Sequence, residues 1–283
     1  MLETIAIIAP GEMGSATGRR LREQGARVVT TLRGRSAASA ARAERAGFAV
    51  IDDPAQLVEE ATVVLSIVPP GEATGLAERL APVLAAARVK PVFVDCNAVS
   101  PATAERIAGI IAASGARFID AGIIGPPPAP NARTVFYASG RDAPALAPLR
   151  DLGLDIRLLD APVGAASALK MSYAALTKGI TALGAAVALG AARGGTTDAL
   201  LQELRESQPA LLPYLARLPS MFPKAYRWVA EMEEIAAFLA GDPSAQQIYA
   251  ATARLYQRLA EGAAAPDKGE LAAIAAFAKR AVR

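Results

Sequence analysis

IIAPGEMGSATG, residues 7–18, follows the apolar run Ile5-Ala6-Ile7-Ile8 and decides how the rest of the chain is read. In a G-x-G-x-x-G turn between a strand and a helix, the first glycine makes the tight turn. The second lets the backbone approach a pyrophosphate, and the third allows close packing of helix on strand. Ala9, Gly11 and Gly14 occupy these positions, so the first glycine is replaced and the other two are kept. The helix expected from about Glu12 would aim its N-terminal amides at the anion. A small-residue turn in another α/β protein could be spelled the same way. Placement favours the phosphate loop: strand, loop, helix, then a second strand ending in TTLRGRS (30–36), about 20 residues on.

The end of that second strand bears on which dinucleotide fits. A free ribose 2′-hydroxyl calls for an Asp or Glu there, whereas a 2′-phosphate calls for cations and hydroxyls. The chain offers Thr31, Arg33, Arg35 and Ser36, with no carboxylate until Glu44. Guanidinium forks match phosphate oxygens, so NADP(H) is expected over NAD(H). The alternative is that these arginines are solvated loop charges.

Working outward, strand-like β-branched runs recur at 4–9, 27–32, 62–68, 91–96, 117–123 and 134–139, most of them separated by Ala/Arg/Glu/Leu segments of helical spacing. Continuous apolar strands alternating with helices predict a doubly wound parallel sheet covered on both faces. From residue 164 the pattern changes to almost unbroken helix formers. The expected organisation is therefore a Rossmann-type α/β domain over 1–163 and an all-helical domain over 164–283. A long helix of roughly 40 Å would open the second domain. In it, FPKAYRWVAEMEEIAAFLAG (222–241) reads as an amphipathic helix with Tyr226, Trp228, Val229, Met232 and Ile235 available for a core.

Composition narrows the chemistry. Of 283 residues, just over half are apolar and a fifth are charged, and the net charge is +3. No Lys/Arg block marks a nucleic-acid patch. The single cysteine, Cys96, excludes an intrachain disulfide framework and fits a reducing compartment. No histidine is present, which excludes Ser-His-Asp chemistry and His-ligated metals and leaves acid–base work to Lys, Tyr, Asp or Glu. No metal is expected. The N-terminus has no basic n-region or apolar h-region, so no signal peptide is expected. The apolar stretch 179–192 is shorter than the roughly 20 residues of a bilayer span. The expected setting is cytoplasmic, with no membrane partner.

Five segments together resemble the β-hydroxyacid dehydrogenase superfamily, which includes 3-hydroxyisobutyrate and 6-phosphogluconate dehydrogenases. APGEMGSATGRRL (9–21) resembles its G-x-G-x-M-G loop, with Met13 in place and Ala9, Pro10, Gly11 and Glu12 completing the turn. SIVPP (66–70) resembles the loop after strand 4 that passes the cofactor, which implies contacts from Val68, Pro69 and Pro70. VDCNAVSP (94–101) is similar to D-x-S-T-x-x-P and implies a polar contact from Asn97 near the nicotinamide. FIDAGIIG (118–125) is similar to D-A-P-V-S-G-G, and GAASALKMSY (164–173) resembles the G-x-G-x-x-x-K-x-x-N that opens the interdomain helix. The C-terminal region resembles a domain of unknown function, DUF1932.

In that family the lysine of the last motif polarises the substrate oxygen and moves its proton while hydride passes to or from the nicotinamide. Here that residue is Lys170. The alternatives are that Lys170 is a surface lysine at the start of an amphipathic helix, or that Lys178, two turns on, takes the role. The departures from the family pattern carry information too. Tyr173 stands where the family has Asn, either as a substitute donor or as a packed ring. Ile124-Gly125-Pro126 replaces a Ser-Gly-Gly carboxylate-binding element, and the family's downstream Lys-Asp has no clear match. Trp228 and Glu231 are the nearest candidates on the substrate side. These changes leave room for a larger or less anionic substrate than a small 3-hydroxy carboxylate. A non-catalytic dinucleotide-binding protein and an imine-reducing variant remain open alternatives. The resemblance also implies a homodimer through the helical domain.

Overall fold

The computed structural model describes residues 4–265 and 269–282. The chain divides into two compact units, Met1–Met171 and Ser172–Arg283. In the first, the strands are β1 (Thr4–Ile8), β2 (Arg27–Thr30), β3 (Ala49–Val50), β4 (Val63–Ser66), β5 (Val92–Asp95), β6 (Phe118–Ile124), β7 (Val135–Ser139) and β8 (Asp155–Leu158). The helices among them are α1 (Glu12–Glu23), α2 (Ala37–Arg45), α3 (Pro54–Glu60), α4 (Ala73–Ala86) and α5 (Pro101–Ala113). They build one sheet in the order β3-β2-β1-β4-β5-β6-β7-β8. β1 pairs in parallel with both β2 and β4, so the winding direction reverses between β1 and β4. A ligand crevice is expected outside the carboxyl ends of strands at such a reversal.

Alternation along each strand feeds two cores. Ile5 and Ile7 pack with Leu21, Ala43 and Phe48 on one face, and Ala6 and Ile8 pack with Leu57, Leu84 and Ile107 on the other. Side-chain caps start several helices. Ser36 accepts from the Ser39 amide at α2, Asp53 from Ala55 at α3, and Ser100 from Thr103 at α5.

The doubly wound sheet and the helical region after it are as expected, with one pairing reversed. β7 pairs antiparallel with β6, so the sheet is not wholly parallel. The Pro-rich stretch 125–134 between them is too short for the crossover of a dozen or more residues that a parallel return needs. β3 and β8, which no apolar run announced, are short edge strands; β3 is two exposed residues and β8 carries Asp155 and Arg157.

Helix α6 (Ala165–Arg193) begins in the first unit and continues into the second. The expected boundary at 163/164 falls at its start, whereas the units part at 171/172 within it. Its first two turns are hydrogen-bonded to the sheet, as described below. By length and hydropathy alone α6 could cross a membrane, unlike the shorter stretch read from the sequence. Met171, Ala174, Ala182, Ala185, Ala188 and Leu189 are buried along it, as in the core helix of a folded domain.

The second unit continues with α7 (Thr197–Ser207), α8 (Leu212–Ala216), α9 (Ala225–Phe238), α10 (Pro243–Ala264) and α11 (Gly269–Ala281). Met232, Ile235, Tyr256, Leu259, Ile274 and Phe277 form its interior. Of the residues expected in the α9 core, Tyr226 is instead exposed, with the Arg227 guanidinium 5.8 Å from its ring. Tyr226 and Trp228, two positions apart, face different sides of the helix, so only Trp228 turns toward α10.

Candidate functional site

The loop after β1 has the form its spelling implied. α1 is capped by Gly11, which has no side chain to occupy the helix N-terminus. The first amides of a helix lack partners within it and point outward from its end. A Cβ on Gly11 would meet nothing within 4 Å, so the space in front of the helix is open on this side. A Cβ on Gly14 would lie 2.2 Å from the Ala9 carbonyl oxygen, so Gly14 is the close-packing glycine. Ala9 is buried and Pro10 follows it; Met13 is half-buried and Glu12 exposed. An anion seated here would fill the open cradle and face the helix amides.

The cations expected at the end of β2 are present, with company the sequence did not announce. Arg42, from α2, donates Nε to the Pro10 carbonyl at 3.1 Å and Nη2 to Ser39 Oγ at 3.1 Å. This binds α2 to the phosphate loop. Ser36 Oγ lies 3.2 Å from Ser39 Oγ. Arg35 pairs with Glu72 at 3.3 Å, and Arg33 is exposed. Asp52, after β3, accepts from the Leu32 amide at 3.1 Å and from Thr31 Oγ1 at 3.4 Å. A carboxylate therefore does reach this corner, from a strand whose place beside β2 is invisible in the sequence.

Beside the loop, Val68 is buried, Pro69 exposed and Pro70 half-buried. Asn97 does not project into open space. It is 3% exposed, accepts from the Val68 amide at 2.6 Å, and donates to Ser66 Oγ at 2.8 Å and to Asp95. Its amide thus fixes the loop that follows β4. Burial, followed by the charges of Asp95 and Asp120, holds the Cys96 thiol well above its ordinary range. That makes Cys96 a poor nucleophile.

Two strands beyond β4, Asp120 on β6 is fully buried. Its carboxylate accepts from the amides of Gly164 at 2.9 Å and Ser167 at 3.1 Å, and from the hydroxyls of Ser167 at 2.6 Å and Ser139 at 2.9 Å. Ser139 Oγ in turn accepts from the Ala166 amide at 3.0 Å. A carboxylate at a helix N-terminus is favoured both by these bonds and by the helix dipole. Two residues further along β6, a Cβ on Gly122 would lie 2.8 Å from the Ala166 carbonyl and 3.0 Å from Lys170 Cβ. Only glycine lets the helix come this close, and Lys170 is therefore seated directly against β6. The same strand ends in Ile124-Gly125-Pro126. Gly125 takes φ +122°, and Thr134 Oγ1 donates to the Pro126 carbonyl at 2.6 Å.

Tyr173, Trp228 and Glu231 belong to the second unit. Tyr173 is 48% exposed on α6. Trp228 and Glu231 come together around Lys178: Glu231 forms an ion pair with its ammonium, which stands 5.2 Å from the Trp228 ring centroid. Tyr256 packs edge-on to Trp228 at 5.1 Å and donates to the Lys178 carbonyl at 2.6 Å. Burial, then the charge of Glu231, pushes the Tyr256 phenol far up. Lys178 is thus engaged in a packed cluster. Removing one partner of such a pair leaves a buried charge uncompensated, which costs about 3–5 kcal/mol.

Residues 4–150 match the NAD binding domain of 6-phosphogluconate dehydrogenase, and residues 191–259 match a domain of unknown function, DUF1932. The chain belongs to the β-hydroxyacid dehydrogenase-like family. A curated relative from Methanothermus fervidus, described as an uncharacterized 28.5 kDa protein in the 7S RNA 5′ region, is 30% identical over 237 residues, 83% of this chain and 90% of that one. A solved conserved protein of unknown function, described as structurally similar to 3-hydroxyacid dehydrogenases, is 31% identical with a TM-score of 0.69, covering 91% of this chain and 97% of its own. The Mycobacterium tuberculosis 3-hydroxyisobutyrate dehydrogenase, solved with L-serine, shares the fold at 22% identity and a TM-score of 0.66, covering 98% and 99%. The first unit of this β-hydroxyacid dehydrogenase-like chain is a nicotinamide-dinucleotide-binding domain.

The two glycines of its loop separate binding from folding. Gly11→Val fills only open space, so the melting curve should stay in place while the NADPH dissociation constant, measured by calorimetry, rises by about two decades or more, roughly 3 kcal/mol. Ala9→Gly should be tolerated. Undiminished NADPH affinity in Gly11→Val would place the cofactor elsewhere.

Proposed function

We propose that the protein is an NADP(H)-dependent oxidoreductase that interconverts a hydroxyl and a carbonyl on a small-molecule substrate, with Lys170 as its acid–base. The observation that carries this reading is the seat of Lys170. The domain that bears the dinucleotide loop also fixes this lysine on a helix start clamped by Asp120 and pressed against Gly122. Ala9, Pro10, Gly11, Glu12 and Met13 would hold the pyrophosphate. Arg33, Arg35, Ser36 and the newly placed Arg42 would receive a 2′-phosphate. Val68, Pro69 and Pro70, held in place by Asn97, would border the nicotinamide.

The dinucleotide, when bound, supplies or accepts the hydride. Reduction of a carbonyl builds negative charge on oxygen. The Lys170 ammonium stabilises that charge and then delivers a proton to the same atom; in the reverse direction the amine removes it. Ile124-Gly125-Pro126 offers the substrate no hydroxyl, which favours a partner larger or less anionic than a small hydroxy acid. Tyr173 is a candidate second donor. Trp228 and Glu231, read from the sequence as substrate-side candidates, cluster with Lys178 in the second unit. The reading extends to a homodimer through the helical domain. Tyr173, Leu176, Leu183 and Val187, all exposed along α6, are the kind of face a second copy covers.

Cofactor choice is measurable without a substrate. One charge-assisted phosphate contact is worth about 1.5–3 kcal/mol, or one to two decades of affinity. Titration should show NADPH bound more tightly than NADH by at least that margin, and Arg35→Ala should erase most of the difference. Equal affinities in the parent protein would overturn the NADP assignment.

A screen of hydroxy acids, alcohols and the corresponding carbonyls would supply a substrate for the mechanistic test. Lys170→Ala should lower kcat by about two to four decades, the range for a positioned acid–base group, with NADPH affinity little changed. Lys170→Arg should be nearly as poor, because a guanidinium does not release its proton near neutral pH. Ordinary turnover in Lys170→Ala would mean that the proton comes from another residue.

A further inference from the structure

A cavity of about 710 Å³ lies between α1, the 128–134 segment and the start of β8, within the first unit. Its volume falls in the range of small-molecule sites, about 300–1,000 Å³. It is separate from the dinucleotide loop: α1 lines it with Ala16, Arg19, Arg20 and Glu23, from the second turn onward, whereas the loop faces the first turn. We propose that this cavity is a second ligand site, for a compact molecule bearing an oxyanion, either a carboxylate or a phosphate.

The charge arrangement carries the proposal. Three guanidinium groups, those of Arg19, Arg20 and Arg133, line the cavity against two carboxylates, Glu23 and Asp155. Asp155 already accepts from two guanidinium nitrogens of Arg157, Nε at 3.2 Å and Nη2 at 3.0 Å. Glu23 reaches Arg20 only at 4.0 Å. Among the described residues, Arg19 and Arg133 form no ion pair. The cavity therefore has an excess of guanidinium donors, the side chain best matched to planar oxyanions.

The walls are also built to hold this arrangement. Arg20 Nε donates to the Gly153 carbonyl at 3.2 Å, and Gly153 takes φ +82°. A Cβ there would lie 2.6 Å from that same nitrogen, so the glycine keeps the guanidinium seated. Pro128 and Pro130 stiffen the opposite wall, while Phe136 and Leu154 provide apolar surface. The ligand class that fits has an anionic group on a small apolar body. The wall belongs to the loop that begins at Ile124-Gly125-Pro126, so a bound anion would brace the segment that faces the proposed substrate.

Calorimetric titration of the full chain with inorganic phosphate and with citrate, at constant ionic strength and with NADPH present, tests the site. The expected result is saturable binding of at least one anion, one per chain. Arg19→Ala and Arg133→Ala should each weaken it by about tenfold or more, the loss of one charge-assisted contact. Both arginines are exposed, so the melting curves should not move. Binding of phosphate alone assigns a phosphorylated ligand, and binding of citrate alone a carboxylate one. Absence of saturable binding by either, or binding that both variants leave unchanged, overturns the proposal.

Discussion

The buried carboxylate of Asp120 is the constraint on which the functional half of the first unit depends. An ionisable group with no solvent exposure is costly to bury unless its oxygens are fully engaged. Asp120 meets that condition by gathering two backbone amides and two hydroxyls from β7 and the start of α6. The same bonds that make its burial tolerable tie three parts of the chain together. They set where α6 begins and in which direction its first turns point. Through that rotation they set which side of the helix Lys170 occupies.

The glycines complete the constraint by removing obstacles. Gly122 gives up a side chain so that α6 can lie on β6, and Gly14 does the same where α1 lies on the turn after β1. Gly11 is different in kind, since its missing side chain leaves open space rather than room for protein. Close packing and open cradle therefore alternate within four residues of the same loop. The resulting unit has two fixed points, an open helix terminus at α1 and a lysine seated against β6, with the β4 loop held by Asn97.

The sequence disclosed whatever is local. The phosphate loop, the strand runs and the long helix each leave a contiguous pattern; Gly11 and Gly14 could be named from spacing, and Lys170 from the family resemblance. What depended on distant residues could not be read. Arg42 and Asp52 reach the nucleotide corner only because α2 and β3 fold beside β2. Asp120 was visible as a motif member, but its partners Ser139, Gly164 and Ser167 lie 19 to 47 residues away. The antiparallel return to β7 was missed, although the stretch 125–134 before it is too short for a parallel crossover, and the edge strands β3 and β8 were too short or too charged to form an apolar run. Glu231 and Trp228 stood out as departures from a family pattern. In the folded chain they neutralise and cover Lys178, a pairing that spans 53 residues and leaves no local trace.

Amide hydrogen exchange across residues 161–171 tests the Asp120 clamp most directly, because it needs neither substrate nor cofactor. Asp120→Ala removes the acceptor for the Gly164 and Ser167 amides. A donor left buried without a partner costs about 1–3 kcal/mol, so exchange at these two positions should quicken by roughly five- to 150-fold. Protection in β1 and α1 should be retained. Unchanged exchange at Gly164 and Ser167 would contradict the clamp, and with it the physical basis for seating Lys170 at the site.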